Sequence, residues 1–177
     1  MDYKSIENIF RNSSDPDELF DTFNFAIHAN IKDADLYKIL LGNPALSEDE
    51  LCMYIEKISS VIPKASFDIF LWGAELFGIR SYKTESIEKA LQFCARAVKE
   101  NPASVLPYEQ AISLYNYELN TYINKQIIDF IESGIEAVKR KSGLYKLLAD
   151  HYKKFGDYLK ERKYELLAQK AAKEENN

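Results

Sequence analysis

Three stretches of this chain repeat one apolar spacing, each at the same distance from a break. Six residues after Pro63 stands Ile69, followed by Trp72, Gly73 and Leu76. Six after Pro102 stands Tyr108, followed by Ala111, Ile112 and Tyr115. Six after Lys139 stands Tyr145, followed by Leu148, Ala149 and Tyr152. Positions 0, 3, 4 and 7 fall on one side of an α-helix. A second helix follows each, with a small residue near its end at Ala97, Gly134 and Ala168. Small side chains there let neighbouring helices approach closely. A face that recurs in this way finds its burial against the next copy, so the pattern predicts stacked helix hairpins.

The remaining sequence supports about ten short helices and no strand. Residues 2–11 form the first, with Ile6, Ile9 and Phe10 on one side. Asp15 is placed to cap the second and Pro16 suits its first position. Leu19, Phe20, Phe23, Ala26 and Ile27 recur along it at helical spacing. Asn30 and Asp33 close that helix and open a short one that stops near Gly42-Asn43-Pro44. Ser47 and Glu50 make a capping-box pattern. Ser66 is read as the cap of a helix carrying Phe67, Ile69, Phe70, Trp72, Leu76 and Phe77. That helix is apolar nearly all round and therefore central. Thr84 opens the next, which stops at Asn101-Pro102. A helix from about Ser104 weakens over 116–120, and another runs from about Asn124 to Lys139. Lys139 to Lys141 sit in its last turn, where cations suit the helix dipole. Ser142-Gly143 makes the following break, and Phe155-Gly156-Asp157 joins the last two helices. Links this short make neighbours antiparallel.

The last hairpin carries a family likeness. Tyr145, Leu148, Ala149, Tyr152, Gly156, Asp157 and Ala168, with Ala90, Cys94, Ala97 and Pro102 earlier, resemble the motif of the tetratricopeptide repeat family. The resemblance covers about residues 64–172. It implies an all-α fold, a right-handed superhelical stack of antiparallel hairpins (an α-solenoid). On that reading 1–177 is a single helical-repeat domain. Residues 1–63 are degenerate N-terminal helices, 64–102, 103–139 and 140–172 are repeats, and the last merges into a C-terminal cap. Glu161 and Glu165 depart from the motif, which marks the final helix as a polar cap. The earlier two repeats also run three to five residues longer than the family's 34.

Composition narrows the function. The chain has 177 residues, 46% hydrophobic and 13% aromatic, with only 6 glycines and 5 prolines. That favours a packed helical domain over disorder or a turn-rich β fold. Net charge is −5, but residues 1–138 carry 22 acids against 12 bases, while 139–177 carry 11 bases against 6 acids. Overall acidity argues against nucleic-acid binding, which depends on neutralising phosphates. Cys52 and Cys94 lie far apart on apolar helix faces, which fits reduced thiols rather than a disulfide or zinc framework. The start, MDYKSIENIF, lacks a signal-peptide core, and no apolar run reaches the roughly 20 residues a membrane helix needs. A cytoplasmic protein is expected.

No catalytic pattern stands out. His28 and His151 have no partners at metal-ligand spacing. The glycines are scattered and build no phosphate loop. Glu48-Asp49-Glu50 sits at a helix start, where acids favour the dipole. Trp72 is expected in the core. The expectation is therefore a non-enzymatic scaffold, without cofactor or metal, that binds another protein or peptide. The alternatives are a structural subunit that self-associates and an RNA-processing helical repeat. The resemblance implies a concave groove lined by first helices. Counting from the packing positions assigns Phe67, Phe70, Ala74 and Phe77 to it, then Glu109, Ser113, Asn116 and Tyr117, then Lys146, Asp150 and Lys153. Some family members hold a chaperone's terminal carboxylate with a lysine–asparagine clamp. The matching positions here are Phe70, Ala74, Glu109 and Ser113, so that clamp is not expected.

Overall fold

The computed structural model describes residues 1–80, 83–116, 118 and 121–176. Among them are ten α-helices and no strand. These are α1 (Tyr3–Asn12), α2 (Pro16–His28), α3 (Ala34–Leu41), α4 (Glu48–Val61), α5 (Ser66–Arg80), α6 (Thr84–Glu100), α7 (Leu106–Ser113), α8 (Thr121–Gly134), α9 (Lys141–Lys154) and α10 (Tyr158–Glu175). A single 3-10 turn, Pro63–Ala65, leads into α5.

Short polar side chains start several of these helices by accepting orphan backbone N–H groups. Asp15 accepts from Asp17 and Asp33 from Asp35 and Leu36. Ser47 and Glu50 complete the capping box in both directions. Ser66 departs from its expected role. The 3-10 turn carries the chain into α5 without a cap, and the Ser66 hydroxyl donates back to the Ser59 carbonyl at 3.1 Å.

The boundary between α8 and α9 also differs from the sequence reading. α8 starts at Thr121 and stops at Gly134, and residues 135–140 turn instead of continuing to Lys139. Ser142 and Gly143 lie in the first turn of α9. Ile135 and Val138 stay buried in the turn, which is why apolar spacing alone ran the helix on. Gly134 is where the Tyr108 ring packs on α8; a Cβ there would collide with the ring's Cε1 and Cζ. In α10 the buried small residue is Ala171, while Ala168 is half-buried.

The helices are ordered by alternation. α1, α3, α5, α7 and α9 each touch the next in that series. The even helices form a matching series. Phe23 of α2 meets Tyr54 of α4 edge-on at 4.8 Å. Glu48 of α4 accepts from Ser86 of α6, and Glu56 pairs with Arg96. α6 touches α8, and Tyr164 of α10 donates to Glu132 of α8 at 2.5 Å. One apolar cluster runs from Ile6 in α1 to Tyr164 in α10. α5 lies within it as expected of a helix apolar nearly all round, with Ile69, Phe70, Gly73, Ala74, Leu76 and Phe77 buried.

Hydrogen bonding shows a period. Every described hydrogen bond linking residues more than eight apart spans between 30 and 41 residues. Several satisfy the free carbonyls at the C-terminal end of an odd helix. Asn43 Nδ2 donates to Phe10 and Ser13 at the end of α1, both at 2.9 Å. Arg80 donates to Leu41, Asn43 and Leu46 around the end of α3. Trp72 Nε1 donates at 3.1 Å to the Lys38 carbonyl in the last turn of α3, which also accepts from the Gly42 N–H.

Asn43 is buried, and its Oδ1 also accepts from the Ala45 N–H. Replacing it strands two carbonyls and one N–H, so Asn43→Ala should lower stability by about 2 kcal/mol. Urea unfolding followed by circular dichroism checks this; an unchanged midpoint would show that water replaces the side chain fully.

Candidate functional site

The described surface has a row of open clefts on the odd-helix series. Three are contiguous. The first lies between α3 and α5 and is lined by Arg11, Lys38, Ile39, Pro44 and Trp72. The second, about 380 Å3, shares Lys38 and Trp72 with it and continues onto α7 at Leu106, Glu109, Gln110 and Ser113. The third shares Ser113 and reaches α9 at Leu147, Asp150, His151 and Lys154. Together they make one trough across α3, α5, α7 and α9.

Helical geometry positions these side chains. Asp68, Leu71, Trp72 and Glu75 of α5 share one face at spacing 0, 3, 4 and 7. So do Leu106, Glu109, Gln110 and Ser113 of α7, and Leu147, Asp150, His151 and Lys154 of α9. This is a second periodic face beside the buried one, and its residues are mixed in character. The floor of the middle section is apolar: Leu71, a half-buried Trp72, and Leu106, which is 50% exposed. Its rim carries the exposed carboxylates of Asp68, Glu75 and Glu109. Lys38 borders both the first and the middle section, Arg11 lies at that end and Lys154 at the other.

Trp72 is thus a trough residue as well as a packing one. The indole N–H is held by the Lys38 carbonyl, which fixes the ring with part of its surface open. Of the residues assigned to a groove from the sequence, Glu109, Ser113 and Asp150 line the trough. Phe70 and Phe77 do not. They are 3% and 0% exposed and stack on Phe93 of α6, at 6.3 and 5.6 Å. Ala74 is buried and Phe67 half-buried against the core. α5 is apolar on so many sides that its sequence cannot tell the inner face from the outer. Asn116 turns toward α8, where its N–H and C=O both bond the Asn124 side chain, at 3.3 and 2.6 Å. Lys146 and Lys153 are exposed outside the trough, Lys153 standing 4.0 Å from Glu161. Tyr117 lies outside the described residues.

Burial shapes the titratable groups of this region. His151 is buried beside Tyr115, Phe155 and Tyr152, at ring distances of 4.4, 4.8 and 5.2 Å. Burial, reinforced by Lys154 and Lys160, holds its pKa below the ordinary value. Burial pushes the Cys94 thiol up to about 12 and raises that of Cys52. Among the described residues no group of three or more His, Cys, Asp or Glu could hold a metal ion. No described helix is long and apolar enough to cross a membrane. Compared with family models, curated proteins and solved structures, the chain finds no match.

The His151 environment makes a pH prediction. A folded pKa below the unfolded value of about 6.5 means the unfolded chain takes up the proton first. The neutral ring's contribution is therefore intact above pH 6.5 and is lost as pH falls through the folded pKa. His151→Phe should flatten the fall in melting temperature between about pH 7 and 5 relative to the parent chain. Parallel melting curves for the two proteins would disprove it.

Proposed function

We propose that this chain is a non-catalytic scaffold of tetratricopeptide-like type, and that the trough across α3, α5, α7 and α9 holds an extended segment of a partner protein. The observation that carries the reading is the continuity of the three clefts through shared residues, Lys38 and Trp72, then Ser113. A trough that crosses four successive first helices is long and open. Such a shape suits an extended chain better than a compact metabolite, which is usually held in a more enclosed pocket. Support for a repeat array comes from the hydrogen bonds spaced 30 to 41 residues apart, which include residues of the N-terminal third. On this reading residues 1–63 belong to the same right-handed superhelical stack as residues 64–172.

The chemistry of the middle section defines the partner. A carboxylate rim over an apolar floor with a half-open indole favours a segment carrying arginine or lysine beside an apolar side chain. The cation gains from the carboxylates and from the indole face. A phosphate backbone would be repelled by the same rim, which disfavours the RNA-processing reading.

A randomised library of extended peptides enriched in arginine and leucine, immobilised and probed with the chain, tests this. Selected sequences should carry a cation next to an apolar residue. Glu75→Lys with Glu109→Lys should weaken the selected peptides roughly tenfold or more, with no loss of fold because both positions are exposed. Selection of acidic peptides, or binding indifferent to both substitutions, would place the binding surface elsewhere.

A further inference from the structure

The outer faces of α2 and α10 are complementary. α2 turns Leu19, Thr22, Phe23 and Ala26 inward. Its outer arc places Asp17 and Asp21 between Phe20 and Phe25, which are 44% and 40% exposed. No lysine or arginine occurs between Arg11 and Lys32. α10 turns Tyr164 and Ala171 inward. Its outer arc centres on Leu159 and Leu166, which are 86% and 50% exposed, with Arg162, Lys163, Lys170 and Lys173 around them. Glu165 and Glu174 pair with Arg162 and Lys170 at 3.4 and 3.9 Å from the flanks of that arc, and four cations still outnumber them. Leu159 and Leu166 are thus open to solvent on one side of α10, as Phe20 and Phe25 are on α2.

We infer that copies of this chain join head to tail, the outer face of α10 on one copy seated on the outer face of α2 on the next. Charge selects this arrangement over the symmetric ones. Two α10 faces would bring eight cations together, and two α2 faces would oppose their aspartates. Only the unlike pair joins carboxylates to cations while covering Phe20, Phe25, Leu159 and Leu166 in one step. Such a contact is heterologous, so a pair still has one α2 face and one α10 face free, one on each copy, and the assembly grows beyond a pair. The split between an acidic body and a basic C-terminal end, seen in the sequence, favours the same approach from a distance. The surface involved is separate from the trough.

Growth makes the contact easy to isolate. Asp17→Lys with Asp21→Lys blocks the α2 face in one variant, and Arg162→Glu with Lys163→Glu blocks the α10 face in another. All four positions are exposed, so both variants should fold, which circular dichroism checks. Sedimentation should show the parent chain associating increasingly with concentration, and less so as salt shortens the Debye length from about 10 Å at 0.1 M to about 3 Å at 1 M. Each variant alone should stay near the 20.5 kDa of one chain. Mixed, they should associate again, because the intact α10 face of one meets the intact α2 face of the other and the two charge-reversed faces also complement each other. A parent chain that remains monomeric at low salt overturns the inference. So does a mixture that remains monomeric, or a variant that assembles alone as well as the parent.

Discussion

The last turn of every helix leaves carbonyls with no partner inside the helix, and at the ends of α1 and α3 these are met by donors from the next odd helix along. Helices as short as α3 and α7 are marginal by themselves and depend on tertiary packing. Packing brings their C-terminal ends under neighbouring chain, where water reaches them poorly. Asn43 and Arg80 supply the missing donors from the end of the next odd helix along. The Arg80 guanidinium spreads its planar fork over three carbonyls at once. Its burial lowers its pKa from a value so high that the group stays charged. Each such bond can form only when successive helix pairs sit in one register. At the ends of α1 and α3, satisfying the carbonyls and docking the next odd helix therefore go together.

That register creates the trough. Once α3, α5, α7 and α9 touch in order, a face at spacing 0, 3, 4 and 7 on each of them meets the corresponding face of the next. Trp72 links the two roles. Its indole N–H ties α5 to the last turn of α3, and the ring that this bond holds in place forms part of the trough floor. A tryptophan anchored at its polar edge loses little further freedom when something packs against its face, which is a favourable starting point for binding.

Much of the fold was legible because local chemistry and apolar spacing agreed. Asp15, Asp33 and the Ser47–Glu50 box open α2, α3 and α4 where short polar residues meet apolar runs. Where the two signals disagreed, the spacing misled. Ile135 and Val138 continue the helical pattern of α8 and are buried, yet the helix has already ended at Gly134. At that end the Tyr108 ring rests on the glycine, a contact between residues far apart in sequence. The same limit applies to the donors Asn43 and Arg80, whose partners could not be named without knowing which helices touch.

The trough was less legible, and α5 explains why. Facing is assigned in a helix by contrast between an apolar and a polar side. In α5 the contrast is carried by Asp68 and Glu75 alone, against a helix otherwise apolar on most sides. Counting from the repeat motif put Phe70 and Phe77 outward, but their rings stack on Phe93 of α6. Asp68 and Glu75, two turns apart on one face, were the better guide. They mark the side that meets water, and Leu71 and Trp72 lie between them. On α7 and α9 the contrast is clearer, and Glu109, Ser113 and Asp150 were placed from sequence on the side that the trough uses. In a stack of amphipathic helices the charged residues thus locate the open face, and any large apolar side chain sharing that face is a candidate for binding and not only for packing.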